Sequence, residues 1–565
     1  MAWLGAPVGE RVAAFGQRVP PGAGAGGIGQ PRDRVESDVV GTSLIAGRVV
    51  AAESGRPLRR VQVRVVGERQ RGGRLASTDE DGRYEIPDLP AGSYRVTASK
   101  GGYVTLQFGQ RHPLEDGTPV DVRDRHALED VDFSLPRGGV ITGAIVDEFG
   151  EPVAEALVQA YSYRFLGGQR RLVPADRGQT NDIGEYRLFG LPPGDYYVSA
   201  ALQTFRRSRD MTTDDTGYAP TFYPGTPNAS EANRVTVGVG QELAGVSFSL
   251  MPVTLSRLSG RVITSLGEPL GGAFVGLTQD GGVPVAGVGA PGARTRGDGS
   301  FTISDVTPGR YRIMARSGRG GRGRVAERDS EFGVYVVTVM GGDIENLVLT
   351  TAPGASAFGT IAIGAGAQPT FDAKSVTIDA VPLDSTLGPI GGSARARVDD
   401  DWSFEIPGLW GAQLIRASGL PTGWVLQEAR LGGRDVTDEP VDFGEVDPAL
   451  RLEVVLTSQS TEVTGHVADD QGTIADYTVI LFADDPNRWG YRSRFVAAAR
   501  PSDDGSFTIR NLPPARYLAI ALTFVERDAW VDPEFLARLR LSARPFDLAA
   551  GGTVALDLEL SETAY

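Results

Sequence analysis

The chain has 565 residues, a net charge of −15 and no cysteine. The negative charge argues against nucleic-acid phosphates as a main partner, and the missing cysteine excludes disulfides, thiolate metal sites and a cysteine nucleophile. Hydrophobic residues at 41% suffice for packed cores, and 75 glycines point to many tight turns.

Residues 1–43 read as a flexible leader, because Pro20-Pro21-Gly22-Ala23-Gly24-Ala25-Gly26-Gly27 offers little apolar surface to bury. Pro7, Gly9, Glu10 and Arg11 interrupt the apolar run that an export signal needs, so none is visible. No later run approaches the length of a membrane span. From Leu44 the pattern is period two, the signature of half-buried strands. Val61, Val63 and Val65 alternate with polar residues, and Val131, Phe133 and Leu135 do so again. A first unit is expected over 44–136, a second over 139–251, a third over 256–351, a more diverged fourth over 355–457 and a fifth over 461–561. One helix is expected, at 532–541, with Asp532 as cap, Pro533 in the first turn and an apolar stripe of Phe535, Leu536 and Leu539.

The division rests on a fourteen-residue frame, Asp81-Gly82-Arg83-Tyr84-Glu85-Ile86-Pro87-Asp88-Leu89-Pro90-Ala91-Gly92-Ser93-Tyr94. It returns around Gly184, Gly299 and Gly505, and in worn form around Trp402. Asp-Gly is a hairpin turn, the alternating apolar residues make a strand, and Pro-x-Gly starts a second turn. The spacing is about 100 residues, far above the roughly 20–50 of solenoid repeats, so each repeat is a whole domain. Strand-rich units of this size pack as two sheets. The expected fold is therefore all-β, a tandem array of about five seven-stranded antiparallel β-sandwich domains. Links of a few residues, such as Pro136-Arg137-Gly138, suggest units strung end to end.

The openings Gly47-Arg48-Val49 and Gly260-Arg261-Val262, the Gly-x-Pro turns and the Asp-Gly-x-Tyr/Phe…Pro-x-Gly-x-Tyr frame resemble carboxypeptidase regulatory-like domains. The resemblance covers nearly everything after residue 43. It implies transthyretin-like sandwiches, related in fold to some starch-binding modules, in a bacterial protein that is secreted or held at the cell envelope.

Chemistry has little raw material. His112-Pro113-Leu114-Glu115 and His126-Ala127-Leu128-Glu129 match the opening of a carboxypeptidase zinc site, but a second, distant histidine is required, and His466 sits in another unit's opening strand. No nucleophile elbow or phosphate-binding loop appears. The acidic turns at Asp79–Asp81, Asp399–Asp401 and Asp503–Asp504 run into strands before a calcium loop could be completed. Arg319-Gly320-Gly321-Arg322-Gly323-Arg324 lacks the aromatics that stack RNA bases. The expectation is no enzyme, no cofactor and no metal. Candidate binding residues are loop aromatics and their polar neighbours. Trp489, Tyr491, Asn487 and Arg488 form one group, and Tyr218, Phe222 and Tyr223 the other. Flat rings on a rigid sandwich can stack on sugars. The sequence thus reads as a non-catalytic scaffold, spacer or adhesion protein outside the cytoplasm, with polysaccharide or another surface protein as partner. A carbohydrate-binding protein is the alternative, and the regulatory part of a peptidase system a remote one.

Overall fold

The computed structural model describes residues 41–67, 73–112, 114–166, 169–202, 216–279, 292–317, 330–364, 367–383, 394–469, 472–474, 476–490, 492–502 and 505–561. The leader's residues 1–40, Tyr491, the Asp503–Asp504 pair and the Arg319–Arg324 tract lie outside them. Residues 41–565 form one compact unit. The protein is all-β as expected, 56% strand and 4% helix.

The first sandwich shows the plan. Its strands are β1 (Ser43–Ala51), β2 (Gln62–Gly67), β3 (Arg74–Ser77), β4 (Arg83–Leu89), β5 (Gly92–Ser99), β6 (Leu106–Gln107), β7 (Val120–Val122), β8 (Ala127–Leu128) and β9 (Phe133–Leu135). One sheet has the order β4-β1-β8, with β9 continuing beside β1; the other has β3-β2-β5-β6, with β7 continuing beside β5. Because β6/β7 and β8/β9 are each one interrupted lane, the nine segments fill seven strand positions. Between the sheets lie Ile45, Val49, Val63, Ile86, Tyr94, Val96 and Phe133, all buried. Alternation puts these residues on one face of each strand, and a buried aliphatic side chain is worth about 1.5–3 kcal/mol.

One pairing departs from an antiparallel plan. The opening strand runs parallel to the closing one, with Val49 opposite Phe133 and Ala51 opposite Leu135. The same parallel pairing joins Gly139–Val146 to Phe248–Ser249, Ser256–Ile263 to Ile344–Thr350, Ala355–Ile363 to Leu452–Thr457, and Glu462–Asp469 to Thr553–Ser561. Parallel first and last strands make the chain enter a sandwich at one pole and leave at the other, which permits short links.

The opening glycine makes this pairing possible. A Cβ on Gly47, Gly143, Gly260, Gly359 or Gly465 would stand 1.9–2.5 Å from the carbonyl oxygen of Val131, Val246, Leu347, Leu452 or Leu556 respectively. The turn residue of the frame has φ of 74° at Gly82, 76° at Gly184, 75° at Gly299 and 76° at Gly505, and Trp402 takes 64° in the worn copy. Its carbonyl accepts the backbone N–H of Val49, Ile145, Val262 and Ile361 in the first four units. The frame's last tyrosine also has a fixed duty. Tyr94, Tyr196, Tyr311 and Tyr517 each donate the hydroxyl to the carbonyl four residues back, at 2.5–2.9 Å.

The fourth sandwich moves a strand: Val425–Leu431 joins the opening sheet, antiparallel to Leu452–Thr457. In the fifth, Thr553–Ser561 pairs with strands of both sheets. Asp532 caps the helix Pro533–Leu539, accepting from the N–H groups of Glu534 and Phe535. Phe535, Leu536 and Leu539 are buried in a second apolar layer on the outer face of that sandwich.

Candidate functional site

The sequence-derived candidates divide among three apolar clusters. Trp489 follows the turn Pro486–Arg488 and packs into the outer layer of the fifth sandwich. Its indole N–H donates to the Ala483 carbonyl at 2.6 Å, and its ring meets Phe482 edge-on at 5.5 Å. Asn487 is exposed and bonds Asp485, while Arg488 lies over the Phe495 ring at 4.5 Å. In the second sandwich Phe222 is buried against Tyr161. Tyr223 packs edge-on against Phe248, and the Tyr218 hydroxyl donates to Glu148. Phe222 belongs to one cluster, and Tyr218 and Tyr223 pack against another. Asn487, Arg488 and Trp489 are brought together; the second group lies elsewhere.

Among the described residues no group of three or more His, Cys, Asp or Glu side chains is placed to hold a metal. The acidic turn at Asp79 holds itself: its carboxylate accepts from the N–H groups of Asp81 and Arg83.

Charged and aromatic side chains gather instead where sandwiches meet. Glu115 bonds the N–H groups of Arg111 and His112 with one oxygen and Arg500 of the fifth sandwich with the other, at 2.9 Å. Both side chains are almost wholly buried, 1% and 6% exposed. Arg500 also donates to Asp476 at 2.8 Å and to the Gly109 carbonyl. Asp476 in turn pairs with Arg111. Beside this core, Arg527 bonds Asp116 at 2.6 Å, its N–H donates to the Leu114 carbonyl, and His112 meets Phe524 edge-on. Burial, reinforced by Asp116, raises the Asp528 carboxyl above its ordinary range. The expectation that the first and fifth sandwiches stand apart at the ends of an array is therefore corrected. Short links fix neighbours but leave more distant units free to meet.

The second sandwich reaches the same region. Phe165 packs into the outer apolar layer of the fifth, and Arg164 faces Glu526. Burial lowers the Arg164 guanidinium and raises the Glu526 carboxyl, opposed in each case by the partner's charge. Between the fourth and fifth sandwiches, Arg494 grips Asp438 with two nitrogens, at 2.8 and 2.9 Å, and donates a third bond to the Leu426 carbonyl. Arg416, lowered by burial despite Asp438, donates to the Arg492 carbonyl. Phe332 and Trp410 meet at 5.2 Å between the third and fourth. Sequence reasoning missed Asp476, Arg494, Arg500 and Arg527, since a lone charge in a loop gives no sign of a partner in another sandwich, 56 residues away for Arg494 and 385 for Arg500.

Residues 44–135 match the family model of the carboxypeptidase regulatory-like domain, which is the first sandwich. Its frame and parallel closing strand recur in the later units. No curated protein matches the chain. Among solved structures, the Bacillus anthracis TIE protein is similar at 14% identity over 55% of this chain and 51% of that one, with a TM-score of 0.15. The chain thus spans about half that protein's length. A streptococcal ancillary pilin is similar at 12% identity over 55% of this chain and 98% of its own, TM-score 0.21. The major pilin subunit BcpA of Bacillus cereus gives 12%, 55%, 99% and 0.14. Scores this low carry no functional argument.

Proposed function

We propose that the protein is a non-catalytic scaffold of fixed geometry, working outside the cytoplasm and presenting sandwich surfaces to another surface protein or to polysaccharide. The observation that carries this reading is the buried Glu115–Arg500 pair, which ties the first sandwich to the fifth through residues 385 apart in sequence. A spacer gains its function from length and needs no such tie, whereas a scaffold needs its surfaces held in register. The setting outside the cytoplasm rests on the resemblance to regulatory-like domains. Fractionation of the native cells, followed by protease shaving of intact cells, tests it. Recovery of the chain in the envelope or the medium is expected, and recovery confined to the cytosol would overturn it.

The second reading is glycan binding at the fifth sandwich. It is favoured by the exposed Asn487 beside a half-buried Trp489. Retention on a polysaccharide panel that is lost in Asn487→Ala would support it; no retention on any member would rule against it.

A further inference from the structure

The joint between the first and fifth sandwiches is built unequally from its two sides. On the fifth, Arg500 and Asp476 pair with each other at 2.8 Å, and both belong to that sandwich. The arginine therefore keeps a carboxylate partner whether or not the first sandwich is present. On the first, Glu115 is braced by the N–H groups of Arg111 and His112 from its own turn. Leu114, in the same turn, holds a left-handed φ of 83°. Each half is thus organised by bonds internal to its own sandwich. Across the joint, the described contacts are mostly polar: Glu115 and the Gly109 carbonyl to Arg500, Arg111 to Asp476, Asp116 and the Leu114 carbonyl to Arg527, and one ring contact, His112 with Phe524. Among the described residues, no core residue of the first sandwich is shared with the fifth. Separation exposes charges, which water solvates, more than it exposes apolar core, so neither fold depends on the contact.

We infer that the Glu115 turn is a detachable plug seated in a socket preformed by Arg500 and Asp476, giving the protein a closed and an open state. The inference rests on the fixed-geometry reading above and deepens it: that geometry is the closed state's, held only while Glu115 is seated. Glu115 is the pin, because removing its charge leaves Arg500 with Asp476 but takes away the most deeply buried charge pair across the joint. Asp116, half exposed with Arg527, lies at the rim and contributes less.

The chain has no cysteine, so a pair introduced at two exposed positions, Asp121→Cys and Glu534→Cys, can be labelled with a donor and acceptor dye in the full chain. In this background energy transfer is expected. Adding Glu115→Gln should remove at least about half of it, the signature of losing one partner of a buried pair. Adding Asp116→Asn instead should leave most of it. Far-UV circular dichroism should be unchanged in both, because each sandwich keeps its own strands. Unchanged transfer in Glu115→Gln overturns the plug while leaving the fixed-geometry reading intact. Lost transfer accompanied by lost strand signal, or failure of that variant to fold, shows that the joint is not detachable. Absence of transfer in the background chain overturns the fixed-geometry reading itself. Arg500→Lys, which keeps the charge without the planar fork, should give a loss smaller than that of Glu115→Gln.

Discussion

Gly47 lies so close to Val131 that a Cβ on the glycine would stand 2.1 Å from the valine's carbonyl oxygen. That oxygen also accepts the Tyr84 hydroxyl at 2.6 Å, so it cannot move aside without breaking a buried bond. Gly47→Ala must therefore push the closing strand away from the opening one. Overpacking of this kind costs about 1–3 kcal/mol. For a unit of this size the first sandwich should melt on the order of 10 °C earlier. Differential scanning calorimetry checks it, and Gly55→Ala is not an equivalent control, because Gly55 has a φ of 63°.

The fold was legible because its devices are local and repeated. The Asp-Gly turn, the alternating strand and the final tyrosine each fall at fixed offsets, and each performs the same bond in several copies. The structure adds a further offset: Asp88, Gly190, Asp305, Gly408 and Asn511, six residues after the turn, all take positive φ. Asp, Asn and Gly are the residues that tolerate it. The parallel closing strand was hidden, since alternation is the same in both directions. The joints were hidden for a different reason. Glu115 drew notice through the histidine three residues before it, yet its partner is Arg500, and nothing local distinguishes that arginine from its neighbours. Trp489 was visible as a loop aromatic, but its indole bond to Ala483 depends on a tertiary fold.

Buried tyrosines set an alkaline limit. Burial pushes Tyr161 and Tyr196 up to about 12, with Ser199 and Arg164 respectively acting the other way. An unfolded tyrosine ionises near pH 10, so the folded second sandwich holds these protons more tightly. The resulting stabilisation is complete below about pH 10 and is lost as the pH rises towards about 12. Phenolate absorbance should show these tyrosines titrating late, together with loss of strand signal.

Trp489→Ala should lower the thermal transition of the fifth sandwich. The substitution removes the bond to Ala483 and the edge contact with Phe482. For a half-buried indole the loss is about 1–3 kcal/mol, less than the roughly 3–5 of a fully buried one. As a loop aromatic free to stack on a sugar, the same residue would be dispensable to the fold. Calorimetry of the variant decides, and an unshifted transition would return the ring to the surface.

Of the two guanidinium groups that, among the described residues, cross the joint between the fourth and fifth sandwiches, Arg494 makes the more bonds. Arg494 makes two bonds to Asp438 and a third to the Leu426 carbonyl, with its side chain 19% exposed. Arg494→Ala removes all three. Asp438 keeps Arg416 at 3.7 Å, so its charge is not left alone and the penalty stays moderate. Hydrogen bonds to charged groups are worth about 1.5–3 kcal/mol, and the coupling between the two sandwiches should fall by about that amount. Arg494→Lys should recover only part of it, because an ammonium cannot reproduce the two-pronged grip. The expected readout is faster proteolysis in the 458–460 link and calorimetric transitions of the two sandwiches that separate. If both stay as in the parent chain, the apolar and backbone contacts hold the joint and Arg494 does not.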